Sequence, residues 1–285
     1  MSEAIAVHHG AFGRAALYRL DRPFVTHAHR EGHLIFYVDG GEATVHVGRN
    51  AVPVTPARAA AVSPWEPHSF AKREHSEPCT CLVMYIKPMW FLENSRSVDC
   101  VLDFGRPVIH VDEEVRRWVG RLTALLLSPQ DSELMDGYLY EVTRLCFDQS
   151  WQRERGRALG RLRNRFSDYR VRRSLRLMQE SFTEEVQMDE LAREVGLSRP
   201  HFFKLFKMQM GITPKLYLNT LRAEHAIDAL VTTEKSVTDI GHELGFSSQA
   251  SFTRFFASNV GIAPSEYRRV AHHADASFSR CVVTQ

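Results

Sequence analysis

The chain is 285 residues long, 44 % hydrophobic and 25 % charged, with a formal net charge of +2. That balance belongs to a globular protein of about two domains and excludes a disordered, collagen-like or strongly acidic chain. Its longest apolar run is about six residues (Cys81–Ile86), where a bilayer crossing needs roughly 20, and five cysteines are too sparse and odd a count for a disulfide scaffold. The N-terminal MSEAIAVHHG has neither the basic nor the apolar stretch of a secretory leader. A cytoplasmic protein with reduced thiols and no membrane partner is the expectation.

The first hundred residues read as short strands. LIFYV (Leu34–Val38), ATVHV (Ala43–Val47), AAAV (Ala59–Val62) and TCLVMYI (Thr80–Ile86) are apolar or alternating runs, broken by DGGE and by Pro53, Pro56, Pro64 and Pro67. Short strands without intervening helices predict an antiparallel barrel or sandwich. After about Asp103 the period changes. VDEEVRRWVGRLTALLL places Val115, Trp118, Val119, Leu122, Leu125 and Leu126 on one helical stripe, with Asp112 at its start. Residues 132–151 form a second amphipathic helix. Between Arg153 and Arg176 ten arginines face only Glu154 and Asp168. Residues 153–167 are the expected linker, and everything from Asp168 reads helical. The fold class is therefore α+β.

One unit occurs twice. LAREVGLSRPHFFKLF (Leu191–Phe206) and IGHELGFSSQASFTRFF (Ile240–Phe256) align, with Gly196 matching Gly245 and Phe202, Lys204 and Phe206 matching Phe252, Arg254 and Phe256. GITPKLY (Gly211–Tyr217) likewise matches GIAPSEY (Gly261–Tyr267). Each unit predicts a helix, a stop at a glycine free to turn left-handed, a serine cap (Ser198, Ser248) and a second helix. A helix-turn-helix offers that second helix to a DNA major groove. Its outward positions are Arg199, Pro200, Phe203, Lys204 and Lys207 in the first unit and Gln249, Thr253 and Arg254 in the second. Lys204 and Arg254 suit guanine acceptors or phosphates, Gln249 suits adenine, and Phe203 or Thr253 suits a thymine methyl.

With LRAEHAIDAL between the units and P-x-x-Y-R at the end, residues Ser174–Arg269 resemble the AraC/XylS family of bacterial transcription regulators. The resemblance implies two recognition helices on one side of a duplex. The chain departs from the usual pattern at Pro200 and Phe203, which leaves base preference in the first half-site open.

The N-terminal half supplies a candidate input. THAHREGH holds His27, His29 and His33, and SPWEPHSF holds His68. In a strand His27 and His29 point to one face, as two ligands of one ion require. The spacing H-x-H-x3-H, followed by a proline four residues before a histidine, resembles the cupin barrel. There His33 stands where the glutamate would be. Four imidazoles suit a divalent transition metal (Zn, Ni, Fe or Cu). A small organic effector, lined by the same histidines with Phe24 and Trp65, stays open beside it. Cys79 and Cys81 share a strand face, as buried side chains or a thiol pair.

The expected organisation is a cupin-like barrel (1–105), a helical dimerisation segment (106–152), the linker (153–167), a double helix-turn-helix domain (168–272) and a tail (273–285). The expected function is an effector-responsive, non-enzymatic regulator of AraC type, an activator, working as a homodimer on duplex DNA with RNA polymerase. The alternative is a cupin-type metal-dependent enzyme with an accessory helical domain.

Overall fold

A computed structural model describes residues 2–72, 76–94, 102–128, 133–151, 168–184 and 186–271. The expected linker at 153–167, the expected tail at 273–285 and His75 lie outside the described residues. The N-terminal half forms two antiparallel sheets. The larger has the order β1 (Glu3–Gly10), β2 (Gly13–Leu20), β8 (Cys79–Ile86), β3 (Gly32–Gly40), β6 (Arg58–Val62), β9 (Val108–His110). The smaller has the order β5 (Asn50–Val54), β4 (Ala43–Val47), β7 (His68–Lys72). The expected cupin-like antiparallel architecture is present, with its strands divided between two hydrogen-bonded sheets rather than closed in one ring. The sheets pack face to face: Tyr18, Ile35 and Tyr85 of one meet Val45, Val52 and Phe70 of the other in a common core.

The other face of the large sheet, with Leu17, Leu34 and Met84, is covered by α1 (Pro88–Asn94), α2 (Glu113–Leu127) and α3 (Glu133–Trp151). α2 starts where the sequence puts it, with the Asp112 carboxylate accepting from the Val115 amide at 2.9 Å. Val115, Val119, Leu122 and Leu126 are its buried stripe, while Trp118 and Leu125 are half-buried.

The C-terminal half is α4 (Tyr169–Ser181), α5 (Met188–Glu194), α6 (Arg199–Met210), α7 (Pro214–Thr232), α8 (Val237–Glu243) and α9 (Gln249–Val260), followed by helical residues 264–271. Gly196 and Gly245 take φ of 74° and 78°, the left-handed stops that the duplicated pattern requires. Ser248 caps α9 by accepting from the Ser251 amide at 3.2 Å; Ser198 holds the matching position without a side-chain cap.

The halves meet along a continuous seam. The second helix-turn-helix unit shares one apolar core with the space between the sheets, through Phe252, Phe256, Val260, Ile262 and Tyr267. The first unit has its own core, which takes in Ala28 from the N-terminal half. Polar contacts cross the same seam. Thr220 Oγ1 donates to the Ala28 carbonyl at 3.0 Å, Arg30 Nε pairs with Glu224 Oε2 at 2.9 Å, and Trp65 stacks on Tyr217 with centroids 5.0 Å apart. The fully buried Tyr267 hydroxyl accepts from Arg14 Nη1 at 3.3 Å and lies 3.0 Å from His9 Nε2.

Removing that hydroxyl strands a buried Arg14 N–H and leaves the half-buried His9 without this partner, at about 1–3 kcal/mol. Tyr267→Phe is therefore expected to lower the unfolding free energy of the full chain by that amount, read as a lower urea midpoint at unchanged m-value. An unchanged midpoint would show that the hydroxyl does not tie the halves together.

Candidate effector and DNA-binding sites

Four histidines converge between the sheets, all buried. The His27 and His68 backbones form a reciprocal bridge, each amide donating to the other's carbonyl at 2.9 Å, which sets their rings 4.3 Å apart. The backbone around His27 is an isolated bridge rather than a regular strand, yet the expected alternation holds. The His27 and His29 rings are 4.9 Å apart, while Ala28 faces the first helix-turn-helix core. His33 comes from β3, opposite Tyr85 of β8, with ring centroids 4.1 Å apart.

Two of these rings have their tautomer fixed. His27 Nδ1 lies 2.8 Å from the Val25 carbonyl and His68 Nδ1 lies 2.9 Å from the Glu66 carbonyl. A carbonyl can only accept, so each Nδ1 carries the proton and each Nε2 presents a lone pair. His68 Nε2, His29 Nε2 and both nitrogens of His33 are buried without a hydrogen-bond partner. One ligand atom from each of His27, His29 and His68 lies within 4.8 Å of the others. His33 is outside that triad, stacked on His29 at 4.5 Å and 16°.

The cavity beside the rings, walled also by Phe24, Phe70, Tyr85 and Val260, is about 30 Å³. Phe24 lies where the sequence reading puts it, on this wall. Its ring also packs under Gly261, the left-handed residue that ends α9 (φ 95°), where a Cβ would overlap it. Trp65 is not on the wall of this cavity; it is turned onto Tyr217 of α7. Its φ of 64° is rare for so bulky a residue. Its amide donates to the His29 carbonyl at 2.7 Å, so the turn that carries it also fixes His29 against His68. Cys79 and Cys81 are buried and free, with sulfurs 3.3 Å apart, so both sequence readings of the pair hold together.

Sequence reasoning missed Arg14 and Tyr85. Arg14 is 4 % exposed, and its guanidinium lies 3.5 Å from the centroid of the Tyr85 ring. The available signal was a charge at the head of the apolar run GRAALYRL.

On the DNA-binding side, Arg199, Pro200, Lys204 and Lys207 of α6 and Gln249 and Arg254 of α9 are exposed. Thr253 is half-buried. Phe203 is half-buried too, edge-on to Phe202 and 5.6 Å from the Arg199 guanidinium, so its aromatic ring is partly spent on packing. The polar side chains make only light contacts: Arg199 with Asp189 at 3.0 Å, Gln249 with Thr238 at 3.0 Å, Arg254 with Ser251 at 3.3 Å. Exposed contacts of this kind are worth about 0–1 kcal/mol and exchange readily for phosphate or base.

Residues 14–143 match the AraC-like ligand binding domain family, and residues 191–270 match a helix-turn-helix domain family. The chain belongs to the AraC family, a ligand-binding domain followed by a double helix-turn-helix; these are families of regulators, not of enzymes. Among curated relatives, the lactose operon transcription activator of Staphylococcus xylosus is 32 % identical over 93 residues, which are 33 % of this chain and 32 % of that protein. An HTH-type transcriptional regulator of Staphylococcus aureus is 40 % identical over 87 residues, 30 % of this chain and 12 % of its own length. The chain thus spans a third or less of these relatives. The crystal structure of unsaturated fatty acid-bound ToxT from Vibrio cholerae has a TM-score of 0.57, covering 94 % of both chains at 14 % identity. A second ToxT structure from the same organism gives 0.53, with 90 % of this chain and 97 % of that one, again at 14 % identity. At that identity the likeness extends to the fold.

Burial, more than any other influence, holds these imidazoles neutral. It brings His27 from 6.5 to about 4, despite the opposing hydrogen bond to Val25, and takes His29, His33 and His68 well below their ordinary value. His9 falls to about 3, by burial and then by the nearby Arg14 charge. The unfolded chain takes up these protons near pH 6.5 and the folded chain does not, so their contribution is present above 6.5 and is lost as the pH falls toward 4. In urea melts of metal-free protein, stability is expected to fall from pH 7.5 to 5.5 by about 1.4 kcal/mol for each imidazole that stays neutral. A flat profile would contradict their burial.

Proposed function

We propose that this protein is a cytoplasmic transcription regulator that reads duplex DNA with α6 and α9 and takes a divalent transition metal ion as its effector. His27, His29 and His68 are the ligands, and His33 is the adjacent fourth imidazole. The observation that carries the reading is the pair of fixed tautomers. Metal-ligating histidines typically donate their other N–H to a carbonyl or carboxylate, which aims the lone pair at the ion. Three imidazoles with a fourth position open suit Zn, Ni, Fe or Cu.

A small organic effector in the same place has less support. The cavity is about 30 Å³, about the volume of one water, where small-molecule sites run from roughly 300 Å³.

Two contacts lead from this cluster to α9. Phe24, whose ring lies 6.4 Å from His27, bears on Gly261 at the end of the helix. Tyr85, against His33, carries Arg14, which holds Tyr267; Tyr267 is edge-on to Phe256 of α9 at 5.8 Å. Closing the three rings on an ion shifts His27 and its neighbours, and so biases the seam toward one of two arrangements. Homodimer formation through α2 and α3, contact with RNA polymerase and activation of transcription complete the reading. Activation has the support of the S. xylosus relative, which is named an activator.

Purified protein is expected to bind one Zn²⁺ or Ni²⁺ per chain by equilibrium dialysis, and His29→Ala or His68→Ala to weaken binding by at least about tenfold. Unchanged binding in both variants would overturn the metal reading. By fluorescence anisotropy at physiological salt, the chain is expected to bind the DNA upstream of its own gene more tightly than unrelated duplex. Chelator is expected to change that affinity. Absence of specific binding in both states would remove the regulator reading, and equal affinity in both would remove the metal as effector.

Arg254→Ala should cost about 1–3 kcal/mol on the preferred site and much less on a site changed at one base pair, if Arg254 reads guanine. An equal loss on every duplex would place it on phosphate.

A further inference from the structure

A second and larger cavity, about 300 Å³, opens where the sensor half meets α7. It is separate from the histidine cluster and shares only His29 with it as wall. Its volume equals about ten waters and sits at the lower end of small-molecule sites. Two of its polar atoms are buried and unsatisfied: Arg14 Nε and Glu31 Oε2. Arg14 is itself 4 % exposed. At the rim are Lys87 from the sensor half and Asp228 from α7, both exposed. Glu224 also reaches the cavity but is already engaged by the Arg30 guanidinium at 2.9 Å and amide at 3.2 Å. That leaves two positive and two negative side chains around one small space, with apolar wall from Ile227 and Val231 of α7.

A buried donor and a buried acceptor left unmade are both costly, and the same small molecule can satisfy them if it brings one group of each kind. A single anion would face Glu31 and Asp228; a single cation would face Arg14 and Lys87. We propose that this cavity is a second effector site, for a small zwitterion of the size of an α-amino acid. The carboxylate goes to Arg14 and Lys87, and the ammonium to Glu31 and Asp228. Its walls belong to both halves, and α7 joins the two helix-turn-helix units. An occupied site therefore holds the sensor against the DNA-binding half. The inference does not depend on the metal reading.

Calorimetric titration and thermal melts of the full chain test it, with the twenty common L-amino acids as probes and acetate and ethylamine as single-charge controls. At least one amino acid is expected to bind saturably, one per chain, and to raise the melting midpoint by several degrees, while neither control does. Glu31→Gln, which keeps the shape and removes the charge, should weaken that binding by about tenfold, and Asp228→Asn should weaken it less. The site is overturned if no amino acid binds, if acetate or ethylamine binds as well as the amino acids, or if both variants bind as the parent does. Zinc titration of the same variants reports separately on the histidine cluster, so failure of one site is not mistaken for failure of the other.

Discussion

An imidazole taken out of water must give up its proton or find a partner, and four of them share one space between the sheets of this protein. The strands supply apolar neighbours and few acceptors. Two backbone carbonyls settle His27 and His68, while His68 Nε2, His29 Nε2 and both His33 nitrogens stay buried without a partner beside a cavity of about 30 Å³. Keeping polar atoms unsatisfied in a core costs on the order of 1–3 kcal/mol each, and marginally stable proteins do not carry such a set without return. The return proposed for this chain is affinity for a metal ion. Several features of the N-terminal half serve this arrangement, including the reciprocal backbone bridge of His27 and His68 and the left-handed turn at Trp65.

The same constraint explains why the sensor is not sealed off from the DNA-binding half. The apolar space between the sheets is completed by Val260, Ile262 and Tyr267, which end the second helix-turn-helix unit. A change of a few tenths of an ångström around His27 or His33 meets close-packed atoms of the other half rather than solvent, and packed cores transmit such strain. Arg14 is the polar member of this contact. It is a buried cation held between the rings of Tyr85 and Tyr267, which lie on opposite sides of the seam. The family's two-part plan, a ligand domain and a reading head, thus has a physical joint with named residues.

The DNA-binding half was legible because its signals are local. A glycine stop, a serine cap and aromatic residues at helical spacing recur about fifty positions apart, and the structure has left-handed glycines at both stops. The histidine alternation was equally local. The first hairpin, β1 and β2, was missed because Arg14 and Arg19 interrupt its apolar run, and one of them is buried. β5 was missed because Pro53 lies inside it, which only an edge strand tolerates, and β5 is an edge. Whether the strands close into one ring or split into two sheets depends on pairings that no window of sequence contains. The seam was invisible for the same reason, since Arg14 and Tyr267 are 253 positions apart. Trp65 and Phe203 show the limit of reading a residue by its type: an aromatic in a motif can be spent on packing against the neighbouring element.

X-ray absorption spectroscopy of the zinc-loaded full-length protein tests the central claim most directly. The account predicts a first shell of light atoms only, at about 2.0–2.1 Å, with the outer-shell scattering of at least three imidazole rings. A sulfur shell at about 2.3 Å, which would put the ion on the Cys79–Cys81 pair, or a spectrum without imidazole scattering, would contradict it.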